Sequence, residues 1–313
     1  MTVKETSLRK HIRMHAMLYI MVTPGVIYLI AFHLIPILGN FIAFMDYNYI
    51  MGITHSKWVG LKHFKVLFNY SEFYRILRNT MVIGFYNLLF RYPAPIFLAL
   101  VLNEIRLKWF KSTAQTLIFI PFFLSWVIVA RLAYSILDPD SGMVNFYIKA
   151  LGYEPYYFMI KAHIFPLLTS LAGVWRDSGF ACIVYLAALT TIDHQLYEAA
   201  KMDGANKFQQ IVHITLPLLV PTMLVLLLVN IGQFLNTGFN QIANMYNSLV
   251  RDTGEILINY TYIKGVEQGE FSFATAVGVF QALVGVVLVV SGNKLSLKLT
   301  GRGLFYVQRK EKR

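Results

Sequence analysis

The sequence predicts an all-α integral membrane protein with about six transmembrane helices. Of the 313 residues, 57% are hydrophobic and only 14% are charged, whereas about a quarter of the residues in soluble domains are charged. Several apolar stretches reach the ~20 residues that an α-helix needs to cross ~30 Å of hydrocarbon. Lys and Arg concentrate in the short segments beside these stretches. The net charge of +12 therefore indicates membrane topology rather than nucleic-acid binding.

Six apolar runs account for the predicted helices. The first run follows a basic N-terminus and is longer than the ~7–15 apolar residues of a cleaved signal peptide, so we expect an uncleaved span with kinks near Pro24 and Pro36. Prolines inside membrane helices are tolerated because neighbouring groups satisfy the freed carbonyls. The predicted spans are residues 16–44, 80–102, 113–136, 163–190, 216–238 and 272–292.

The distribution of Lys and Arg predicts the orientation of the chain. With a cytoplasmic N-terminus, sixteen of these residues lie in cytoplasmic segments and nine on the opposite side, as the positive-inside rule requires. We therefore expect both termini in the cytoplasm. The predicted domains are a cytoplasmic N-terminal tail (1–15), a transmembrane domain (16–293) with a cytoplasmic loop at 191–215, and a basic cytoplasmic tail (294–313).

A polar stretch, EAAKMDGANKFQQIVHITLP at residues 198–217, separates the fourth and fifth predicted spans. Asp193 can cap a short helix. On this helix, the small side chains of Ala199 and Ala200 form an apolar face that another protein can approach closely. Gly204 is a natural helix stop because glycine adopts left-handed dihedral angles without steric cost. The stretch therefore predicts two short helices joined at Gly204. From the residues alone, it is either a docking element for another protein or a packed corner that only joins two spans.

The chain lacks the motifs that indicate catalysis or nucleotide binding. It contains no G-x-x-x-x-G-K-[ST] phosphate loop, no H-E-x-x-H metal motif and no G-x-S-x-G nucleophile motif. The eight His are scattered and the single Cys lies in an apolar run, so we expect neither a metal site nor a disulfide. These features disfavour a membrane enzyme.

The spacing within residues 198–217 resembles the signature of permeases from binding-protein-dependent ABC importers, which is Glu-Ala-Ala, three residues, Gly, nine residues and Ile-x-Leu-Pro. The stretches WVGLKHFKVLF, NIGQFLNTGFNQI and GEFSFATAVGVFQALVGVVLVVSGNKLS extend the resemblance over nearly the whole chain. All three resemble sugar-family permeases, and the last two resemble in particular the "lipopolysaccharide-type" subgroup for complex oligosaccharides and polysaccharide fragments. The signature and its turn comprise Glu198, Ala199, Ala200, Asp203, Gly204, Ile214, Leu216 and Pro217.

This resemblance implies a type I ABC importer permease fold in a bacterial cell membrane, with the 198–217 segment as a coupling helix. It implies that ATP and Mg are bound by a separate ATPase chain and that this chain binds no cofactor. The implied partners are a second, similar permease, two ATPase subunits, an extracytoplasmic substrate-binding protein, membrane lipid and an oligosaccharide. Nucleic acid is not among them.

Polar residues in the fourth span are candidates for substrate contact, because charge inside a membrane is costly and is a functional hypothesis by default. Trp175 is suited to stack on a sugar ring, and Arg176 to bind a carboxylate through two parallel hydrogen bonds. The alternative is an Arg176–Asp177 ion pair that only fixes helix packing. Since adjacent residues point apart on a helix, we expect each of the two to find a partner on another span.

A row of polar side chains in the fifth span is a second candidate for substrate contact. Its spacing predicts one helical face, and amides suit sugar hydroxyls because they both donate and accept hydrogen bonds. The alternative is hydrogen bonding between helices, and Gly232 and Gly238 permit a break in the span. The row consists of Asn230, Gln233, Asn236, Thr237 and Asn240.

Two further intramembrane arginines are candidates for substrate contact. Arg91 precedes Tyr-Pro-Ala-Pro, whose freed carbonyls are possible acceptors for it, and Arg131 is placed to extend towards the membrane surface. With Arg176, these residues suggest a carboxylated oligosaccharide. Two rival functions stay open at this point, an ABC permease for a non-sugar solute and an ion-coupled secondary transporter.

Overall fold

The computed structural model describes residues 14–235, 238–301 and 303, and this part of the chain is predominantly helical. Four of its helices are long and apolar enough to cross a membrane, and the number rises to six if each of two bent helix pairs is one span. The predicted all-α membrane fold is therefore confirmed, and two of its six predicted spans correspond to bent helix pairs.

The α-helices vary widely in length, and short π-helical or 3-10 segments join several of them. The α-helices are α1 (Ala16–Leu29), α2 (Ile35–Leu38), α3 (Lys62–Asn69), α4 (Ser71–Tyr86), α5 (Pro93–Glu104), α6 (Lys108–Phe119), α7 (Trp126–Ile136), α8 (Met143–Ala150), α9 (Phe165–Leu189), α10 (His194–Met202), α11 (Lys207–Gln210), α12 (Leu216–Gly232), α13 (Phe239–Met245), α14 (Arg251–Gly254), α15 (Leu257–Tyr262) and α16 (Phe271–Thr300). Two short strands, β1 (Met45–Asp46) and β2 (Lys57–Trp58), pair in antiparallel orientation.

The chain divides into two compact units, and the first contains residues up to 67 together with 264–279. Its N-terminal helical run, Ala16–Phe44, has 29 residues, and only 6% of its most apolar window is buried. Pro24 lies inside α1 and Pro36 lies at the start of α2, with a π-helical segment between the two helices. Almost the whole surface of this span is thus exposed in the isolated chain, as suits contact with lipid or another membrane helix.

Ionic contacts stabilise the segment that follows this span. The Asp46 carboxylate lies 2.8 Å from the Lys62 ammonium and 3.0 Å from the His63 ring. The hydrogen bond from Lys62 holds the pKa of Asp46 below its usual value, and the nearby positive charges act in the same direction. These contacts join the β1–β2 ribbon to the start of α3.

The second unit, residues 68–263 and from 280 onward, is organised around α9. This helix packs against α5 and α6, and against α12. Lipid tails are as apolar as leucine, so such contacts in a membrane depend on close packing rather than on exclusion of water. One core cluster combines residues of α5, α9 and α12, namely Ile96, Ala99, Leu102, Cys182, Tyr185, Leu189 and Leu219.

The third predicted span, 113–136, is not one continuous helix. Residues Lys108–Phe123 meet Trp126–Ile136 at an angle of 102°. Pro121 lacks an N–H, and the Ser125 side chain accepts a hydrogen bond from the Ile128 N–H at 3.4 Å and so caps α7. Pro121 and Ser125 thus end one helix and start another within a predominantly apolar run.

The fifth predicted span, 216–238, ends early. Helix α12 stops at Gly232, and Gly238 has a φ of +94° at the start of α13. Residues 230–240 therefore do not form a single helix, and the prediction that their polar side chains share one helical face is wrong. The two glycines that permitted a break flank the place where the chain leaves the helix.

A charged network ties the start of α4 to the segment around α14. Arg75 lies 2.5 Å from the Glu72 carboxylate, pairs closely with Glu255, and donates to the carbonyl of Arg251 at 2.6 Å. The Glu255 side chain is only 13% exposed, whereas that of Arg251 is 57% exposed. The Arg75 side chain is 17% exposed, so Arg75 is the more buried of the two cations that pair with Glu255.

We expect Arg75→Met to lower the free energy of unfolding by roughly 1–3 kcal/mol, because it leaves a partly buried carboxylate with one exposed partner. Thermal unfolding in detergent measures the change. Arg251→Met is the matched control, and its cost should be at most about 1 kcal/mol since an exposed ion pair contributes little. Equal losses from both substitutions would contradict this assignment.

Candidate functional site

A cavity of about 560 Å³ lies within the second unit. Its walls combine aromatic rings with a small number of polar groups, as is usual for sites that orient a ligand. The aromatic residues are Tyr92, Phe122, Trp126, Phe180, Tyr185, Phe234 and Phe239. The polar residues are Asn87, Arg91, Asp177, Asn230, Asn240 and Gln241.

The predicted substrate-contacting residues separate into three groups. Asp177, Asn230 and Asn240 line the cavity. Trp175, Arg176 and Gln233 are not among its lining residues. Asn236 and Thr237 lie outside the residues that the structure describes.

Two of the residues singled out for substrate contact are exposed and are not among the lining residues of the cavity. Trp175 is 50% exposed on α9, and Arg131 is exposed on α7. Sugar stacking by Trp175 therefore has no support from this cavity and stays a prediction. The aromatic faces that do line it include Trp126 and Phe180.

Sequence reasoning missed two amide residues of the cavity. Asn87 accepts a hydrogen bond from the Ser170 hydroxyl at 2.8 Å, and Gln241 donates to the carbonyl of Thr169. Both side chains are thereby fixed against α9. Asn87 was detectable as an isolated amide within an apolar span, but Gln241 lies beyond the end of the predicted fifth span.

A charged cluster lies at one wall of the cavity. Arg91 and Arg176 both pair with the Asp177 carboxylate, and the Arg176–Asp177 distance is 2.5 Å. The side chains of Arg91, Asp177 and Arg176 are 29%, 15% and 18% exposed, respectively, so all three are largely withdrawn from solvent. The prediction that carbonyls freed by nearby prolines satisfy Arg91 is wrong, because its partner is Asp177.

Local structure explains why Arg91 reaches α9. Residues Asn87–Arg91 form a π-helical turn just before Pro93, and the Tyr92 N–H donates to the Asn87 carbonyl at 3.2 Å. Single π-helical turns of this kind often occur at functional sites. Opposite, a Cβ atom added at Gly173 would lie 3.4 Å from Arg91 Cδ, so the arginine side chain packs directly against α9 at this position.

Arg176 is fixed by the bend in the third span. Its Nε donates to the Leu124 carbonyl at 2.9 Å, and its guanidinium lies 5.6 Å from the Phe122 ring centre and 4.9 Å from that of Trp126. Both arrangements considered from the sequence therefore occur, since Arg176 and Asp177 contact each other and each also reaches another segment.

The 198–217 segment forms two short helices joined at Gly204, as predicted. Asp193 caps α10 by accepting from the Gln195 N–H at 3.0 Å, and Gly204 has a φ of +83°. The Ala205 N–H bonds to the Ala200 carbonyl at 2.9 Å, which completes a Schellman turn. A reciprocal cap at the start of α11, between Asn206 and Gln209, was not predicted, although the Asn-x-x-Gln spacing encodes it.

Exposed apolar side chains lie on both helices of this segment. Met202 is 88% exposed and Phe208 is 74% exposed, one on each side of the turn. Glu198 and Ala199 are exposed as well. These groups are free to contact another protein in the isolated chain, and the choice between a docking element and a packed corner stays a prediction.

The remainder of the segment is tied to the spans. The Tyr197 hydroxyl lies 2.9 Å from the Thr215 hydroxyl, and Lys207 lies 3.0 Å from the Glu104 carboxylate. Ile214 is half-buried, Leu216 packs against the core cluster of α5, α9 and α12, and Pro217 lies in the first turn of α12. These contacts tie α10 and α11 to α5 and to the start of α12.

The family described as "Binding-protein-dependent transport system inner membrane component" matches residues 91–297. This range includes Arg91, Asp177 and the whole 198–217 segment. The chain is also similar to the "Polygalacturonan/rhamnogalacturonan transport system permease protein YteP" of Bacillus subtilis (strain 168). The two are 46% identical over 288 residues, which cover 92% of this chain and 90% of that protein.

Two solved structures are similar to this chain. One is a bacterial alginate ABC transporter in complex with an alginate pentasaccharide-bound periplasmic protein. The TM-score is 0.87 and the sequence identity 36%, and the match covers 95% of this chain and 99% of that chain. The other is a bacterial ABC transporter involved in the import of the acidic polysaccharide alginate, with a TM-score of 0.86, 36% identity, and coverage of 94% and 99%.

Proposed function

This chain belongs to the family of binding-protein-dependent transport system inner membrane components, and we propose that it is the permease subunit of an ATP-driven importer of complex oligosaccharides. It is a multi-pass inner-membrane protein and not an enzyme. The observation that carries the proposal is the combination, in one chain, of an aromatic and amide-lined cavity with an exposed 198–217 segment. Similarity to a polygalacturonan permease over 92% of the chain supports the substrate class.

The cavity has the chemistry that a sugar requires. Aromatic rings such as Trp126 and Phe180 offer faces for the apolar side of a sugar ring, and amides such as Asn87 and Asn240 serve its hydroxyls. Transporters place substrate between helices near the middle of the membrane, where interrupted helices line a polar space. The break after Gly232 and the bend before Trp126 are interruptions of this kind.

The 198–217 segment is the element through which ATP hydrolysis would act. In this proposal its exposed side chains enter a groove on a separate ATPase chain, which binds ATP and Mg, while this chain binds no cofactor. Closure of the ATPase would pull on α10 and α11 and reorient the spans around the cavity. The contacts of Tyr197 with Thr215 and of Lys207 with Glu104 are the mechanical links.

The assembly that we propose has five chains and one membrane orientation. A second, similar permease completes the pathway, two ATPase subunits lie on the cytoplasmic side, and a substrate-binding protein delivers the oligosaccharide from outside. Both termini and the 198–217 segment face the cytoplasm, and the distribution of Lys and Arg supports this orientation. A periplasmic protein in complex with one of the similar transporters supports the last partner.

Uptake of labelled oligosaccharides tests this function. We expect cells that express the chain with its partner subunits to accumulate the label, and cells without the chain to lose uptake. An ATPase subunit should copurify with the chain from detergent. Uptake restricted to a non-sugar solute would contradict the substrate class, and uptake that continues without any bound ATPase would indicate a secondary transporter instead.

A further inference from the structure

The cluster of Arg91, Asp177 and Arg176 carries one positive charge more than it can neutralise internally. Two guanidinium groups share a single carboxylate, and all three side chains are at least about two-thirds buried. An uncompensated charge is costly inside a membrane protein. Among the described residues that line the cavity, Arg91 and Asp177 are the charged ones. One added carboxylate would make the cluster neutral.

The two arginines are not equivalent. Arg176 is held by the Leu124 carbonyl, by the Asp177 carboxylate and by two aromatic faces, and it does not line the cavity. Arg91 does line the cavity, and in the described part of the chain its hydrogen bonding runs through one nitrogen to Asp177. A guanidinium has five N–H donors in a planar fork, so Arg91 retains donors for a second carboxylate.

We propose that Arg91 is a specificity-determining residue that binds a carboxylate of the transported sugar, so that this permease selects oligosaccharides containing uronic acids. The inference rests on the proposed function and adds the substrate's charge and the residue that recognises it. Asp177 is a positioning residue that directs the Arg91 guanidinium to the cavity wall, and Arg176 fixes Asp177 in turn.

The surrounding wall fits a uronic acid residue in particular. Phe180 and Trp126 line the cavity together with the charged pair, so aromatic faces for a sugar ring and a guanidinium for its carboxylate belong to one cavity. A neutral hexose would receive the same ring and hydroxyl contacts but would leave the extra positive charge uncompensated. Selectivity therefore arises from one charge interaction added to contacts that all sugars share.

The competing explanation is that the Arg91–Asp177 pair only fastens α9 to the chain before α5. A structural pair is indifferent to the charge of the substrate, and a lysine in place of Arg91 would keep a cation beside Asp177. Lysine lacks the planar fork that binds a second carboxylate, so Arg91→Lys separates the two explanations. Arg131→Gln is the matched control, because Arg131 is an intramembrane arginine that is exposed and lies away from the cavity.

The experiment uses the complete importer in proteoliposomes, with trigalacturonate and its fully methyl-esterified form as acidic and neutral substrates of equal length. Arg91→Gln should lower the ratio of acidic to neutral uptake by about tenfold or more, and Arg131→Gln should leave the ratio unchanged. Arg91→Lys should retain assembly and neutral uptake while acidic uptake falls. Direct binding of trigalacturonate to the purified complex, without the binding protein, should weaken by a similar factor in both Arg91 variants.

The possible failures are distinguishable. If the wild-type importer transports neither sugar but takes up another labelled oligosaccharide, this inference fails and the proposed function stands; if it takes up no oligosaccharide, both fail. If it transports both, but Arg91→Gln reduces both equally and Arg91→Lys restores both, the function stands and the pair is only structural. Unchanged trigalacturonate binding in the Arg91 variants would also overturn the inference.

Discussion

Gly204→Val is expected to reduce oligosaccharide uptake to background while the protein still folds and inserts. Gly204 has a φ of +83°, and an added Cβ at this position would meet no atom within 4 Å. The substitution therefore causes no collision, but it forces a branched residue into the left-handed region, which costs about 1–2 kcal/mol. The turn between α10 and α11 would open, and the exposed side chains on either side of it would lose their relative placement.

Gly152 supplies an unusually close control for this prediction. It has a φ of +84°, ends α8 in the same type of Schellman turn, and also has open space around its Cβ position. Gly152→Val should thus cost the same free energy of unfolding while uptake and ATPase copurification persist. If both variants lose uptake to the same extent, the effect reflects general destabilisation, and the coupling role of the 198–217 segment is not supported.

Gly179→Val is expected to prevent recovery of folded protein. The Cβ of any residue at this position would lie 2.7 Å from the carbonyl carbon of Ile118 and 2.8 Å from the Cα of Phe119. Both are backbone atoms of α6, so no side chain can rotate away and the helices themselves must separate. Overpacking of this kind costs roughly 1–3 kcal/mol for small insertions, and more where the backbone cannot shift.

The measurement is the yield of monodisperse protein in detergent, with the melting temperature of any that is recovered. Gly179→Ala should already lower the melting temperature, since Ala carries the offending Cβ. Gly278→Val in α16 is the control, because a Cβ atom added at Gly278 would meet no atom within 4 Å. A normal yield of Gly179→Val would show that α6 and α9 do not approach as closely as described.

The positions of the spans were predictable from sequence because the length of an apolar run is a local property. The interruptions were harder to predict. Pro121 and Ser125 end and restart a helix within a run that hydropathy treats as uniform, and a proline in a membrane helix is compatible with either a kink or a bend of 102°. Only the packing of the neighbouring helices decides between the two.

The candidate site also has one part that was predictable from the sequence and one part that was not. The 198–217 segment was predictable because its caps, its glycine and its spacing lie within twenty consecutive residues. The cavity draws on residues from 84 to 241, and its key contact joins Arg91 to a carboxylate 86 positions away. Side-chain direction also mattered, since Trp175 and Asp177 are two positions apart on α9 and only Asp177 faces the cavity.

The bend in the third span also constrains how this protein can evolve. A straight helix would return the Leu124 carbonyl to the backbone ladder and leave the Nε of Arg176 without its acceptor. Loss of Arg176 alone would strand that carbonyl inside the membrane. Neither change alone is neutral, so the bend at Leu124 and the arginine at position 176 depend on each other. Descendants of this chain should retain both together or lose both together.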